Sequence, residues 1–253
     1  MSQGTPSGFF TLGVPPERFE LPHSRLGLPV ILVIRRVLCR AFEILREKEF
    51  RFAEANEDTV TAALRTVIEN DLRQTGSVPG FNRGIYESVV RQAQVANFDG
   101  TRPAKSPDLC FKLRHDDCEP RMVLSEFDAL FVECKPVDAT HSAGHHYCDD
   151  GLVRFVRGDY AWAMQEGMML AYVRNGRTIA GHLIPAMREA DRMASLATVE
   201  LPQACGTPED AHAEPVHISR HRREFPWPAK KGRATDITIY HLWHDCGWPN
   251  SRP

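Results

Sequence analysis

The residues of this chain best suited to hydrolytic chemistry lie between Ser106 and Val137, in SPDLCFKLRHDDCEPRMVLSEFDALFVECKPV. Pro107-Asp108 opens one apolar run and Glu133-Cys134-Lys135 closes another, so the stretch reads as two strands joined by a polar loop that holds Asp116, Asp117, Glu119 and Pro120. Side chains two apart on a strand share a face, which puts Glu133 beside Lys135 and sends Cys134 into the opposite layer. If the strands pair, Asp108 approaches the same surface. Two carboxylates would then offer hard oxygen ligands beside one cation, the arrangement that a Mg²⁺ site with open coordination positions requires. The alternative is an edge strand on which Glu133 and Lys135 form a solvated pair of little energetic consequence. Asp128 is a rival ligand, but it alternates out of phase with Glu133 and belongs on the other face of a regular strand.

This order of Asp, Glu and Lys resembles the PD-(D/E)xK nuclease superfamily. The resemblance covers roughly residues 56–195 and implies an α/β fold, a restriction-endonuclease-like core with a mixed central sheet flanked by helices. It implies a Mg²⁺-dependent endonuclease, with Mn²⁺ as a substitute cation and DNA as the substrate. Asp108 and Glu133, with the backbone carbonyl of Cys134, would hold the metal, and Lys135 would orient the attacking water. A further acidic residue is implied on the helix before the core strands, and in NEDTVTAALRTVIENDL that residue is Glu57. Glu57 has a second explanation, since the helix dipole favours acidic groups in a first turn without any chemistry. The resemblance also sets Arg157 and Gln165 near the metal site, an exposed helix face being the other reading. The competing function is a non-catalytic module that keeps the fold and binds nucleic acid or protein.

The elements that must position these groups follow from pattern. Residues 1–27 are rich in Pro and Gly and read as an irregular arm. Ile31, Ile34, Leu38, Phe42 and Leu45 recur at helical spacing after Pro29. Asn56 is an N-cap for a second helix, with Val60, Leu64, Val67, Ile68 and Leu72 on one face and Gly76 as its stop. Ile85 to Val95 fits strand or helix by pattern, and the resemblance favours a first core strand. From Asp138 to Gly151 the chain reads as a polar loop carrying His141, His145, His146 and Cys148. Imidazole and thiolate so close together could hold zinc, yet structural zinc sites usually gather paired ligands from two spaced elements, so zinc is not expected. A helix is predicted over about Gly158 to Glu166, a strand over Met168 to Val173, and another helix from Thr178 to the region of Met187. Residues 197–215 read as a strand fragment and a long acidic loop, and Asp236 to Trp243 as a final strand. Between them Arg220, Arg222, Arg223, Lys230 and Lys231 stand among Phe225 and Trp227, a mixture able to bind phosphates and stack on bases, or to form a solvated basic loop. The expected organisation is an arm and helical extension over 1–55, the nuclease-like core over 56–195, and a basic segment with a last strand over 196–253, packed on the core.

Composition narrows the class further. Forty-two per cent apolar and 25% charged residues exclude a disordered or fibrous chain. A formal net charge of −2 excludes general attraction to nucleic acid, so DNA binding must come from a local basic surface and the bound metal. Seven cysteines without CxxC spacing suggest reduced thiols, and the longest apolar run, Leu26 to Ile34, is too short to span a bilayer. The expectation is a cytoplasmic protein with DNA as its partner and a protein partner or homodimer as a further option.

Overall fold

The structure is a computed structural model and describes residues 20–82, 84–113, 125–205 and 215–247. Seven strands form one mixed sheet in the order β1-β2-β3-β4-β7-β6-β5. They are β1 (Tyr86–Arg91), β2 (Leu109–Leu113), β3 (Ala129–Val137), β4 (Glu166–Val173), β5 (Thr198–Cys205), β6 (Val216–His221) and β7 (Ile237–Asp245). β1, β2 and β3 are antiparallel neighbours, β3 runs parallel to β4, and β4 parallel to β7. β7, β6 and β5 complete the sheet as antiparallel neighbours, so residues after 196 contribute three strands to it. β3 and β4 are buried along their whole length, in keeping with strands covered on both faces.

One face carries the helices of the N-terminal half. In α1 (Leu28–Glu47) the residues Ile31, Ile34, Leu38, Phe42 and Leu45 are all buried, as their spacing predicts. In α2 (Glu57–Val67) the Asn56 side chain accepts the Thr59 N–H at 2.9 Å. The helix continues through a wider turn, Ile68–Leu72, to Arg73–Thr75, and ends where Gly76 takes a left-handed φ of 61° that a side chain would disfavour. These helices pack with Leu130, Val132 and Cys134 of β3 and with Met168, Leu170 and Tyr172 of β4.

The other face is covered by α3, which spans Ala143–Leu152 and runs on into Val153–Val156. Residues 143–151 were expected to be loop, so this is a correction. Ser142 caps the helix: its hydroxyl accepts the His145 N–H, and its own N–H donates to His146 Nδ1, each at 3.1 Å. The same reciprocal cap recurs between Thr178 and His182 at the start of α4 (Ile179–Leu183, continuing as Ile184–Met187), where a helix was predicted. A short α5 (Ala190–Ser195) follows.

The helix predicted over Gly158 to Glu166 is absent. Residues 158–164 form a buried, irregular segment with positive φ at Gly158 (68°) and Ala161 (54°). A Cβ on Gly158 would lie 2.6 Å from the Phe225 ring, so both backbone and packing demand glycine there. The carbonyls of this segment are bound by Arg223, which donates to Ala161 O at 3.1 Å, Trp162 O at 3.3 Å and Met164 O at 2.9 Å. Asp116, Asp117, Glu119 and Pro120, the acidic loop after Cys205 and the start of the N-terminal arm lie outside the described residues. Among the described residues no helix is long and apolar enough to cross a membrane.

Candidate active site

β2 stops short of the end of β3. Leu109 pairs with Val132, leaving the edge of β3 beyond that point open to the residue before β2. That residue is Asp108, whose main-chain oxygen accepts the Gln92 N–H at 3.2 Å and whose Oδ2 accepts the Cys134 N–H at 2.7 Å. In an extended strand the N–H and C=O of one residue point to the same edge, so the Cys134 carbonyl faces the Asp108 side as well. The Cys134 thiol is buried in the opposite layer, as the strand alternation predicts.

Glu133 and Lys135 share the face under α3. Glu133 is fully buried, and its Oε1 accepts Arg154 Nη1 at 2.7 Å and Lys135 Nζ at 3.1 Å. Its Oε2 accepts the Tyr160 hydroxyl. The stem of Lys135 runs beneath Gly151, where a Cβ would come within 3.4 Å of it, and its Nζ reaches Glu57 Oε1 at 2.8 Å. Glu57, the first residue of α2, therefore does join the strand residues, although its place beside the Asn56 cap also satisfies the dipole preference. Asp108, Glu133, Lys135 and Glu57 meet around the middle of β3, just past its last residue paired with β2.

The electrostatics are those of clustered carboxylates with too little solvent. Burial, and then the charge of Glu133, push the Asp108 carboxyl up to about 7 against the pull of the Cys134 N–H and Lys135. Burial also raises Glu133 against the attraction of Lys135 and Arg154. Burial opposes the charge on Lys135, but Glu133 and Glu57 outweigh it and hold its pKa above the ordinary value, so the amine is protonated at neutral pH.

The donor set fits Mg²⁺ in chemistry: two carboxylates and a backbone carbonyl, all hard oxygens, and an Asp108 whose raised pKa a cation would reverse. Glu133 would have to exchange a bond with Arg154 or Lys135 for the metal, since both its oxygens are engaged. Sequence reasoning missed Arg154 and Tyr160. Both lie in segments whose secondary structure the pattern misassigns, and the only signal is their place in RFVRGDY after the Glu-Cys-Lys strand.

The remaining residues separate into distinct places. Gln165 donates to His23 O at 2.9 Å and so anchors the N-terminal arm, away from Glu133. Arg157 follows the last turn of α3 and is exposed. Asp128 precedes β3 and is five residues, about 17 Å of strand, from Glu133. Of the expected nucleic-acid contacts, Arg223 is 2% exposed and given over to backbone carbonyls, so it cannot touch a ligand. Arg220 is paired with Glu200 and Asp236, at 2.6 and 2.8 Å. Arg222 and Lys230 are exposed, and Lys231 is half-buried.

Cys148, expected in the polar loop, is buried in α3, whereas His145, His146 and Asp150 form a group whose ligating atoms lie within 4.8 Å of one another. In that group His145 Nδ1 is 3.2 Å from Asp150, and His146 Nδ1 already accepts the Ser142 N–H.

No protein-family model, curated protein or solved structure matches this chain.

Proposed function

We propose that the protein is a Mg²⁺-dependent nuclease that hydrolyses phosphodiester bonds, with DNA as its substrate. One observation carries this reading. A buried lysine lies between Glu57 and Glu133, beside the point on β3 where Asp108 docks on the next backbone N–H, so the Asp, Glu and Lys of the motif converge in space. The order of elements supports it: a β1-β2-β3 meander, then a helix, then β4 parallel to β3, is what the restriction-endonuclease-like core would show. When bound, Mg²⁺ would polarise the phosphoryl group and stabilise the leaving oxygen.

The chain's own residues divide the rest of the work. Asp108 and Glu133 would supply the anionic oxygens, with Asp108 held in place by the Cys134 N–H. Lys135, kept cationic by its two glutamates, orients the attacking water and offsets charge developing on the phosphate. Arg154 is 37% exposed at its side chain and has donors to spare for a phosphate oxygen after its bond to Glu133. Tyr160 holds the orientation of the Glu133 carboxylate from the far side.

A second reading, a non-catalytic nucleic-acid or protein binding module, draws on the complete burial of Glu133 and the saturation of its oxygens, which a purely structural charge cluster would also show. Incubation of circular and linear DNA with the protein in Mg²⁺ and in excess chelator separates the two. Cleavage in Mg²⁺ alone is expected; intact DNA under both conditions, or equal cleavage in chelator, would leave the nuclease reading without support.

A further inference from the structure

The last turn of α3 leads from the carboxylate site to a cleft of about 350 Å³ lined by three arginines, Arg102, Arg157 and Arg222. Arg157 follows Arg154 by three residues, so the two side chains leave neighbouring positions of one helix end. Arg222 is set by its N–H, which donates to Ala197 O at 2.9 Å, in the turn between α5 and β5. Arg102 is ion-paired with Asp159, Nη1 to Oδ1 at 2.9 Å, and Asp159 is also ion-paired with Lys105 at 3.3 Å. The residue after Asp159 is Tyr160, which binds Glu133, so the same backbone fixes one wall of the cleft and one side of the active site. Ala194, Ser195 and Ala197 keep the cleft wide, and Glu224 is the acidic group that also lines it.

We propose that this cleft is a phosphate subsite, holding a neighbouring phosphodiester of the same strand as the one at Lys135. The proposal rests on the nucleic-acid reading above. Guanidinium groups suit phosphate oxygens because their planar forks donate in pairs and never lose their charge. Three of them in one concavity outweigh Glu224, and Asp159 is shared with Lys105, which leaves the cleft positive although the whole chain is not. A volume of about 350 Å³ admits a phosphate with its sugar. The assignment also divides the basic cluster seen in the sequence: Arg222 belongs to the subsite, Arg223 to the scaffold, and Lys230 and Lys231 to neither.

The test is made in chelator, where turnover cannot confuse it, with a short single-stranded DNA and a salt titration. The Arg157→Ala, Arg222→Ala double variant should bind at least about tenfold more weakly. Its plot of log affinity against log salt should be shallower by about 0.7 for each phosphate that is no longer neutralised. Arg222→Glu, a single substitution, should flatten the plot as well, and Lys230→Ala, Lys231→Ala should leave the slope as it was. Inorganic phosphate distinguishes the source of the anion. It should compete with the DNA for wild type and not for the double variant. An unchanged slope in both arginine variants overturns the subsite even if the protein cleaves DNA. A reduced slope supports it even if no cleavage is found, in which case only the catalytic reading fails. Phosphate binding abolished in the variant without any effect on DNA would make the cleft a free-anion site and also overturn the proposal.

Discussion

Two buried polar clusters lie under α3 in a single lateral row of the sheet. Glu133 on β3 is in register with Met169 on β4, and Met169 with His241 on β7, so the clusters are two strands apart, roughly 10 Å, with a methionine between them. Around Glu133 the groups are charged and the cluster opens at one end through Arg154 and Glu57, whose side chains are 37% and 32% exposed. Around His241 the groups are neutral and closed. His221 Nδ1 must carry a proton to bond Leu196 O at 2.9 Å, so its Nε2 accepts the Ser219 hydroxyl at 2.8 Å. Ser219 Oγ then accepts His241 Nε2–H at 2.7 Å, and His241 Nδ1 accepts the Tyr147 hydroxyl at 2.9 Å. Every proton in that chain is assigned once the first carbonyl is known. Burial pushes His221 down to about 4 and His241 well below its usual value, which keeps both imidazoles neutral.

The contrast separates scaffold from chemistry. The histidine chain satisfies itself and gains nothing from a ligand, whereas the carboxylate cluster keeps Asp108 pushed up to about 7 beside a second buried acid, a cost that a cation would relieve. A serine hydrogen-bonded to two histidines would suggest nucleophilic catalysis from composition alone, but Ser219, His221 and His241 are all 0% exposed and no substrate reaches them.

The largest effect should come from Lys135→Met. Removing the amine between Glu57 and Glu133 is expected to lower the cleavage rate by about a hundredfold or more, while DNA binding changes little, because binding draws on a broader surface. Single-turnover cleavage and anisotropy titration on the same preparation check this, and parallel loss of both with the fold intact would turn Lys135 into a binding residue.

The second cluster should answer in stability. His241→Phe takes from the Tyr147 hydroxyl its acceptor at 2.9 Å and from Ser219 one of its two histidine partners, at a cost of about 2–4 kcal/mol, with cleavage per folded molecule unchanged. The histidine chain should also contribute a loss of stability as pH falls from about 6.5 to about 4, because unfolded imidazoles take protons that the native His221 refuses. Asp108 titrates over the same range with the opposite sign, so denaturation midpoints of Asp108→Asn measure it, and a flat profile in that variant would mean that the chain is not neutral.

The smallest effect, and opposite in sign, belongs to Asp108. Its folded pKa is raised, so it contributes stability below the unfolded value near 3.8 that is lost as pH rises through about 7. In chelator, Asp108→Asn should therefore be more stable than wild type at pH 8, on the order of 1–2 kcal/mol, and no more stable at pH 4. Mg²⁺ should raise the thermal midpoint of the wild type at pH 8 and leave that of the variant where it was. A Mg²⁺ response that survives in Asp108→Asn would move the cation away from the Asp108 cluster.

Much of the fold is legible in the chain itself. The 3.6-residue pattern of α1 and α2, the cap at Asn56, the strand pairs around Asp108 and Glu133, and the alternation that separates Glu133 and Lys135 from Cys134 are local properties, and local rules read them. The two elements after β3 exchange places between pattern and structure for a physical reason. α3 carries Gly144, Gly151, adjacent histidines and paired aspartates, and its turns are wide enough for Tyr147 N–H to reach Ser142 O, so the usual spacing of apolar residues is lost. The Ser142 cap is the local signal that marks its start. Tyr160 to Met164 has a helix-like run of apolar residues, yet its backbone is bound instead by Arg223 from a loop beyond β6, a partner about 60 residues away that no local pattern announces. For the same reason Arg223 resembles a DNA contact in the sequence and is part of the scaffold, and Arg154 and Tyr160 pass unnoticed although both bind Glu133. Sequence determined which residue types stand two apart on a strand; only the tertiary fold decided which distant cations and hydroxyls would surround a buried carboxylate, because that depends on long-range packing and on the dielectric it creates.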